Sequence, residues 1–372
     1  KTDGTFVLKS DLMGADLKIA PLGWSKPKNT KGSLSVSGVL SEPIKIDAID
    51  VTANGLTAHG TVNFAPDGGF ASAEFPSLTV GQWLSTSLML TGVGSTATTN
   101  LSGGTVDLRQ LDFGQSSGET AGPLILSLDR LRLTDDLSLT SFNANITRTG
   151  APTGKFNARV NGGAAIRGTI SRGTKGARIT VTGNDAGNIL RSAGFFDNIF
   201  GGATTIILEP SEGSDVYEGR FDVSNFRMQH SNSMAALLDG ISLVGLLQKL
   251  KGGGIQFGQA KGWFTLRPEG VQLREVSLVG ASIGISLQGW FASKSKAVDF
   301  DGVVTPLYVV NGAFERIAGK LFGRQKGEGV FSFVYTMKGP AADPTVRVKP
   351  LSILTPGVFR QIFRQDIPAP PK

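Results

Sequence analysis

Apolar and polar residues alternate with a period of two along most of the chain. Ile44, Ile46 and Ala48 flank Lys45 and Asp47 in an early example, and the dipeptide Asn54-Gly55 follows as a turn signal. Successive side chains of a strand point to opposite faces, and Asn-Gly favours tight hairpins. The pattern therefore predicts many strands joined by short turns, mostly in antiparallel order. The same alternation occupies 124–129, 142–147, 283–288 and 331–337.

Helical spacing of apolar residues is confined to short segments. The strongest, 234–250, places Met234, Leu237 and Ile241 on one stripe, but glycines interrupt it and it is too short to span a bilayer. We interpret it as a helix that caps one end of a sheet, with contact to a membrane surface as the alternative. Further short helices are predicted near 185–196, 311–321 and 355–363.

So few small helices cannot cover a long sheet of many strands. The expected fold is mainly β: an elongated, curled antiparallel β-sheet with an apolar groove and a few short helices. The alternative is a sheet that folds on itself as a closed sandwich or barrel. The later part of the chain is richer in Phe and Trp than the earlier part. This change in composition predicts a β-groove segment at 1–200, followed by a C-terminal region at 201–372 that has short helices and an amphipathic tail.

The amino-acid composition limits the classes of protein to which the chain can belong. The chain has 372 residues, enough for two or three domains, and its 50 glycines follow no three-residue period, which excludes collagen. The net charge of +7 favours anionic partners. No nucleic acid is expected as a partner, because basic residues form no block of five and do not alternate with aromatic ones.

Cysteine is absent, which excludes disulfides, cysteine nucleophiles and thiolate metal sites. No run of about 18 uncharged apolar residues is present. The chain starts at Lys1 without an initiator Met, so we expect a fragment from which an anchor has been removed.

The residues that carry catalysis in other proteins are scattered here. His59 and His230 are the two histidines, and neither has metal-binding partners at the usual spacing. Asp135 and Asp136 are adjacent in a predicted hairpin turn, and adjacent strand residues point to opposite faces. The segment 252–254 is three glycines without the Gly-Lys-Ser/Thr ending of a phosphate loop. We expect no enzyme, no metal and no cofactor.

Apolar strand faces without a cover would bind acyl chains by burial, at about 0.8 kcal/mol for each methylene. A closed sandwich core gives the same pattern, so the residues alone leave both interpretations open. The two cleanest alternations supply the candidate lipid-binding residues, and at least one triplet is predicted to face the groove. Their polar neighbours, Ser286 and Ser332, are predicted to point away and to tolerate Asp. The two triplets are Ile283, Ile285 and Leu287, and Phe331, Phe333 and Tyr335.

The predicted helix at 355–363 forms a small amphipathic tail. Phe359, Ile362 and Phe363 would enter lipid while Arg360 and Arg364 meet phosphates, which makes the tail a candidate for membrane or partner contact. The alternative is that it packs on the last strands as a cap.

Motifs that contain glycine and proline follow one another in the last third of the chain. They are Gly280-Ala-Ser-Ile-Gly-Ile-Ser-Leu-Gln-Gly289, Gly302-Val-Val-Thr-Pro306, Tyr335-Thr-Met-Lys-Gly-Pro340 and Pro344-Thr-Val-Arg-Val-Lys-Pro350. This ordered series resembles the C-terminal region of the AsmA-like family, in its YhdP-type branch. The element Trp24-Ser-Lys-Pro27 is similar to a Trp-x-Lys-Pro element of the central region of that branch. Lys349 departs from the pattern, which more often has Asn.

The resemblance implies a bridge-like protein of the Gram-negative envelope that transports phospholipids to the outer membrane. It implies an inner-membrane anchor N-terminal to this chain, a periplasmic location, and an outer-membrane contact or partner at the C-terminal end. No catalytic residue is carried over, and we expect Gly280, Gly289, Gly302, Pro306 and Pro340 to shape turns or bulges. The alternatives are a structural or adhesin-like β-sandwich envelope protein without lipid transport, and an envelope hydrolase acting on glycans.

Overall fold

A computed structural model describes residues 4–19, 24–42, 44–92, 96–110, 121–211, 216–241, 244–306 and 332–349. Of these residues 66% lie in strands, beside three short helices, so the predicted mainly β class is confirmed. The chain divides into two compact units, Lys1–Arg172 and Gly173–Lys372, called unit 1 and unit 2.

The described residues of unit 1 form strands and a short 3-10 turn at Leu108–Gln110. Strands β4 to β9 form an antiparallel meander, β1 pairs with β4, and β10 to β13 form a second meander. Strands β9 and β10 pair in parallel, an exception to the predicted antiparallel order. Strands β2 and β3 form a separate small sheet. The bounds are β1 (Gly4–Ser10), β2 (Leu17–Ile19), β3 (Trp24–Lys26), β4 (Gly32–Leu40), β5 (Lys45–Ala53), β6 (Leu56–Phe64), β7 (Phe70–Val80), β8 (Leu84–Thr91), β9 (Thr98–Asp107), β10 (Ala121–Arg132), β11 (Ser138–Arg148), β12 (Thr153–Val160) and β13 (Ala165–Arg172).

Unit 2 is an antiparallel meander from β14 to β22 into which three helices are inserted. The bounds are β14 (Ala177–Gly183), α1 (Ala186–Ser192), β15 (Ile199–Pro210), β16 (Tyr217–Met228), α2 (Asn232–Gly240), α3 (Val244–Lys251), β17 (Ile255–Arg267), β18 (Gly270–Gly280), β19 (Ile283–Ala292), β20 (Ala297–Pro306), β21 (Phe333–Pro340) and β22 (Thr345–Lys349).

The division between the units falls between Arg172 and Gly173, earlier than the sequence-based boundary at 200/201. Strands β14, β15 and β16 form an antiparallel ladder with β17 within unit 2. The functional boundary at 200/201 stays a prediction.

Helices α1, α2 and α3 lie where the sequence predicts helices at 185–196 and 234–251. The Ser231 hydroxyl accepts a hydrogen bond from the Met234 amide and caps α2. Leu237, Leu238 and Leu250 are buried against the sheet of unit 2, so α2 and α3 cap a sheet end as predicted. The helices predicted at 311–321 and 355–363 lie outside the described residues.

The motif glycines and prolines occupy two kinds of position in unit 2. Gly280, Pro306 and Pro340 end strands β18, β20 and β21. Gly289 and Gly302 lie inside strands. A Cβ atom at Gly302 would come within 2.5 Å of the Tyr335 ring, so the absence of a side chain there lets the tyrosine lie flat on the neighbouring strand.

A plug of three residues, Leu12, Trp24 and Lys26, closes one end of the unit 1 sheet. Lys26 is fully buried, and its Nζ donates to the carbonyl oxygens of Leu12, Ala15 and Pro27 at 2.7, 3.1 and 3.1 Å. The Trp24 indole donates to the Asn54 carbonyl at 3.0 Å, which attaches the plug to the turn between β5 and β6. The Trp-x-Lys-Pro element is therefore a structural closure.

The first prediction concerns the lysine of this plug. We expect Lys26→Met to lower the free energy of unfolding by about 3 kcal/mol, because the buried Leu12 carbonyl and the carbonyls of Ala15 and Pro27 lose a charged donor. Urea denaturation followed by circular dichroism measures the change. Exposed Lys45→Met, whose partner Asp47 is also exposed, is the control and should change stability by less than about 0.5 kcal/mol. Equal effects of the two variants would contradict the structural role of Lys26.

Candidate functional site

One face of the unit 1 sheet is apolar from strand to strand, and we call it the apolar face. The row of side chains beside the plug is buried, and we call it the sealed row. Direct cross-strand pairing places its members in one line, and each of them is at most 9% exposed. In order across the sheet, the sealed row is Ala53, Leu56, Val80, Leu84, Val106, Leu131, Leu139 and Val160.

A second line of paired residues crosses the same face further from the plug, and we call it the accessible row. Its larger side chains are only half-buried, in contrast to the sealed row. The apolar face thus runs from a closed end to an open one. In order, the accessible row is Phe6, Gly38, Ile46, Val62, Ala73, Leu90, Thr99, Leu124, Ile146, Gly154 and Ile170.

A cavity of about 340 Å³ lies at the β1 side of the accessible row. Leu8 and Ile44 stand at its mouth, 50% and 48% exposed. Its volume is within the range of small-molecule pockets. No lining residue is charged, so it is suited to an apolar group. The lining residues are Phe6, Leu8, Val36, Ile44, Ile46, Phe64 and Gly68.

The opposite face of the same strands is polar. Asp50 and His59 are direct cross-strand partners, and the His59 Nδ1 lies 2.6 Å from an Asp50 carboxylate oxygen. Lys45 and Asp47 form a second ion pair at 3.0 Å. Both pairs are exposed and contribute little to stability. His59 therefore lies on an exposed strand face.

Arg109 forms ion pairs with Asp107 and Asp135 beside the sealed row, and we call these three residues the charged clamp. Asp107 follows Val106 in β9, and the Arg109 Nε donates to its carboxylate at 2.8 Å. Arg109 also pairs with Asp135, the turn carboxylate between β10 and β11. The hydrogen bond from Arg109 is the main reason that the pKa of Asp107 lies below its ordinary value. The acidic pair at 135–136 thus contributes to a structural contact.

The described members of the two predicted triplets share one face of unit 2. Ile285 and Phe333 both pair with Val304 of β20, and Tyr335 pairs with Gly302. Ile283, Ile285 and Tyr335 are buried in a core that includes residues of α2 and α3. Leu287 and Phe333 are half-buried and pack against that core.

Helices therefore cover the predicted lipid-binding positions in unit 2, and the role of these residues in lipid contact stays a prediction. Phe331 and the tail residues Phe359, Arg360, Ile362 and Phe363 lie outside the described residues.

Strand β19 is buried on both faces, which conflicts with the expected tolerance of Ser286 to Asp. Ser286 is 4% exposed, and its neighbours Gln288 and Trp290 are also buried. The Tyr335 hydroxyl donates to the Ser286 carbonyl at 3.2 Å, and burial raises the pKa of Tyr335 above its ordinary range. Ser332 is half-buried and shares a hydrogen bond of 2.9 Å with Thr305. A carboxylate at Ser286 would be buried without a partner.

The described residues contain no group of three His, Cys, Asp or Glu that could hold a metal ion. Within the same residues, no helix has the length and apolarity needed to cross a membrane. Comparison of the chain with family models, curated proteins and solved structures found no match.

Most of the residues that line the cavity could not be predicted from the sequence. Ile44 and Ile46 belong to an alternation that the sequence displays, but Phe6, Leu8 and Phe64 lie on other strands. Only the strand register joins these five side chains. The available signal was the recurrence of alternation near the N-terminus, in the segment assigned to a β-groove.

Acid stability tests the charged clamp. The folded-state pKa of Asp107 is lowered, so its contribution to stability is present above its unfolded value of 3.8 and is lost as pH falls through the folded value. We expect Asp107→Asn to melt at a lower temperature at neutral pH and to lose less stability than the wild type below about pH 4. Thermal melts at several pH values provide the measurement. Asp47→Asn is the exposed control, and an identical acid profile for Asp107→Asn and the wild type would contradict the clamp.

A carboxylate should affect protein stability differently in the core of unit 2 and at the cavity of unit 1. We expect Ile285→Asp to destabilise the protein by about 4 kcal/mol or more, because an unpaired charge would enter the packed core. Leu8→Asp should cost below about 1 kcal/mol, because its side chain is half exposed. Chemical denaturation of both variants is the measurement. A well-folded Ile285→Asp protein would show that this position is accessible.

Proposed function

We propose that this chain is a lipid-binding segment of a bridge-like lipid-transfer protein, which carries phospholipid acyl chains along the apolar face of unit 1. The proposal rests mainly on the accessible row, in which the larger apolar side chains, such as Phe6, Ile46 and Leu90, are half-buried on paired strands. An uncharged cavity with exposed Leu8 and Ile44 adjoins that row. Exposed apolar patches are found at ligand-binding grooves.

Burial of apolar area supplies the driving force. Each methylene removed from water contributes about 0.8 kcal/mol, so an acyl chain segment of about ten methylenes gains roughly 8 kcal/mol before ordering costs. A phospholipid could keep its head group in water while its chains lie on the apolar face. The ligand needs no fixed polar partner, which agrees with a cavity whose lining is uncharged.

The plug gives the proposed site a direction. Because Leu12 and Trp24 are buried at the sealed end, lipid would approach the apolar face from the side of the accessible row. The Lys26 ammonium is turned towards three backbone carbonyls and is not offered to a phosphate. We therefore place the lipid head group away from the plug.

The resemblance to the AsmA-like family supplies the cellular part of the proposal. In that setting the chain would stand in the periplasm of a Gram-negative bacterium. A segment N-terminal to it would anchor the protein in the inner membrane, and its C-terminal end would meet the outer membrane or a partner there. Phospholipids would be the cargo, without chemical turnover.

A structural or adhesin-like envelope protein is the second candidate. The observation that favours it is the core of unit 2, where α2 and α3 cover Ile283, Ile285 and Tyr335. A glycan hydrolase is less well supported, because such a site would need carboxylates and Trp faces and the cavity has neither.

Lipid occupancy tests the proposal with a matched pair of variants on one strand. Leu8 lines the cavity, whereas Val7 is 65% exposed and points to the opposite face of β1. We expect Leu8→Asp, alone or with Ile44→Asp, to reduce uptake of a fluorescent phospholipid at least about tenfold, since the charge would be desolvated by the chain. Val7→Asp should bind as the wild type does.

Native mass spectrometry of the purified protein identifies co-purified phospholipid in the same samples. The proposal fails if the wild type neither retains nor takes up phospholipid. It also fails if both aspartate variants retain full uptake. Thermal melts of all variants show whether a loss of lipid reflects a loss of folding.

A further inference from the structure

Three phenylalanines are exposed within six residues of unit 2. Phe195, Phe196 and Phe200 lie in and directly after the loop that follows α1, and they are 43%, 42% and 36% exposed. Single exposed apolar side chains are ordinary, but a cluster of large ones marks an interaction surface. The apolar face of unit 1 does not include these residues.

Two arginines flank the third phenylalanine. The guanidinium carbons of Arg191 and Arg227 lie 5.2 and 5.9 Å from the centre of the Phe200 ring. Arg191 also donates to the Ile199 carbonyl at 3.3 Å, and Phe195 contacts the Phe291 ring edge-on at 5.5 Å. These contacts hold the cations and the aromatic rings at one place on the surface.

The C-terminal end of α3 adjoins the same place. The Gln229 amide donates to the Asn198 carbonyl at 3.0 Å, and the Gln229 side chain donates to the Gly252 carbonyl at 3.3 Å. A Cβ atom at Gly254 would lie 2.8 Å from Arg227 Cγ. Lys249 and Lys251 in the last turn of α3 are exposed. The loop after α1, the end of β16 and the end of α3 thus form one surface.

We call this surface the aromatic-basic patch. Among the described residues, no ion pair joins its four cations to a carboxylate, and Asp197 is the acidic residue within its loop. The patch therefore has a surplus of positive charge beside exposed aromatic rings. It comprises Arg191, Phe195, Phe196, Phe200, Arg227, Lys249 and Lys251.

We infer that the aromatic-basic patch docks unit 2 onto the surface of an anionic lipid bilayer. Phenylalanine side chains insert at the boundary between head groups and acyl chains, while arginine and lysine reach the phosphates around them. Each cation near an anionic surface strengthens binding about fivefold. Charge complementarity favours a bilayer, because a bilayer offers both a dense negative surface and an apolar layer directly beneath it. This inference does not depend on lipid binding by the apolar face of unit 1.

Vesicle flotation with the full chain tests the inference. The probes are vesicles of phosphatidylcholine alone and vesicles with about 30% phosphatidylglycerol, each at low and high salt. We expect binding to the anionic vesicles that is at least about tenfold stronger than to the neutral ones and that weakens at high salt. Phe196→Ser should lower binding, and the double variant Arg191→Gln with Arg227→Gln should lower it about twentyfold or more.

Matched controls separate the patch from the rest of the surface. Met89→Ser removes an exposed apolar side chain from β8, and Arg130→Gln removes an exposed cation from β10. Neither variant should change vesicle binding. Val7→Asp, outside both the cavity and the patch, should bind vesicles as the wild type does. The patch variants should keep full uptake of a fluorescent phospholipid, so failure of the lipid-carrying proposal is distinguished from failure of this one. Phe196→Trp reports insertion directly, because its fluorescence should shift to shorter wavelength on anionic vesicles.

Three results would overturn the inference. One is the absence of binding to anionic vesicles, which would assign the patch to another kind of partner. Another is equal binding to neutral and anionic vesicles. The third is unchanged binding in the Phe196 and arginine variants, provided that their melting temperatures match that of the wild type.

Discussion

Cross-strand register is the constraint on which the apolar face depends. A slip of one residue between two strands would turn every side chain of one strand to the opposite face. The polar pair Asp50 and His59 would then enter the apolar side. Local bulges preserve the register, as at Gly104, where φ is +66° and a Cβ atom would lie 1.9 Å from the Ser85 carbonyl oxygen. Glycine at that position lets β8 and β9 keep their apolar partners aligned.

An apolar strand face becomes part of a core where helices or other segments pack on it, and it stays accessible to a ligand where they do not. In unit 2, α2 and α3 bury Leu238 and Leu250 against the sheet, and the face beneath them is closed. In unit 1 the sealed row is buried, and the plug is attached to it at the turn between β5 and β6. The accessible row has equivalent side chains and the same alternation, but it keeps them half-buried. Similar strand patterns thus give a covered face in unit 2 and a partly exposed face in unit 1.

This difference explains what the sequence could predict. Period-two alternation identified strands, and helical spacing identified α1 and the segment of α2 and α3, because both signals are local. Whether an apolar strand face is covered depends on tertiary contacts, which no local pattern displays. Ile285 and Ile46 therefore look alike in sequence, although Ile285 is buried and Ile46 lines a cavity. Ser286 was misjudged for the same reason, since alternation assumes one solvated face. The function of Lys26 depends on carbonyls brought together by folding, which no local pattern displays.

An accessible apolar row also connects binding with stability. Side chains that remain half exposed contribute less to folding than the same side chains in a closed core. A ligand that covers them only in the folded protein adds its binding free energy to the stability of the fold. A ligand on the accessible row of unit 1 would therefore add to the stability that the plug contributes at the closed end. This arrangement suits an acyl chain, because burial without fixed polar contacts lets a ligand be held and still be displaced along the row.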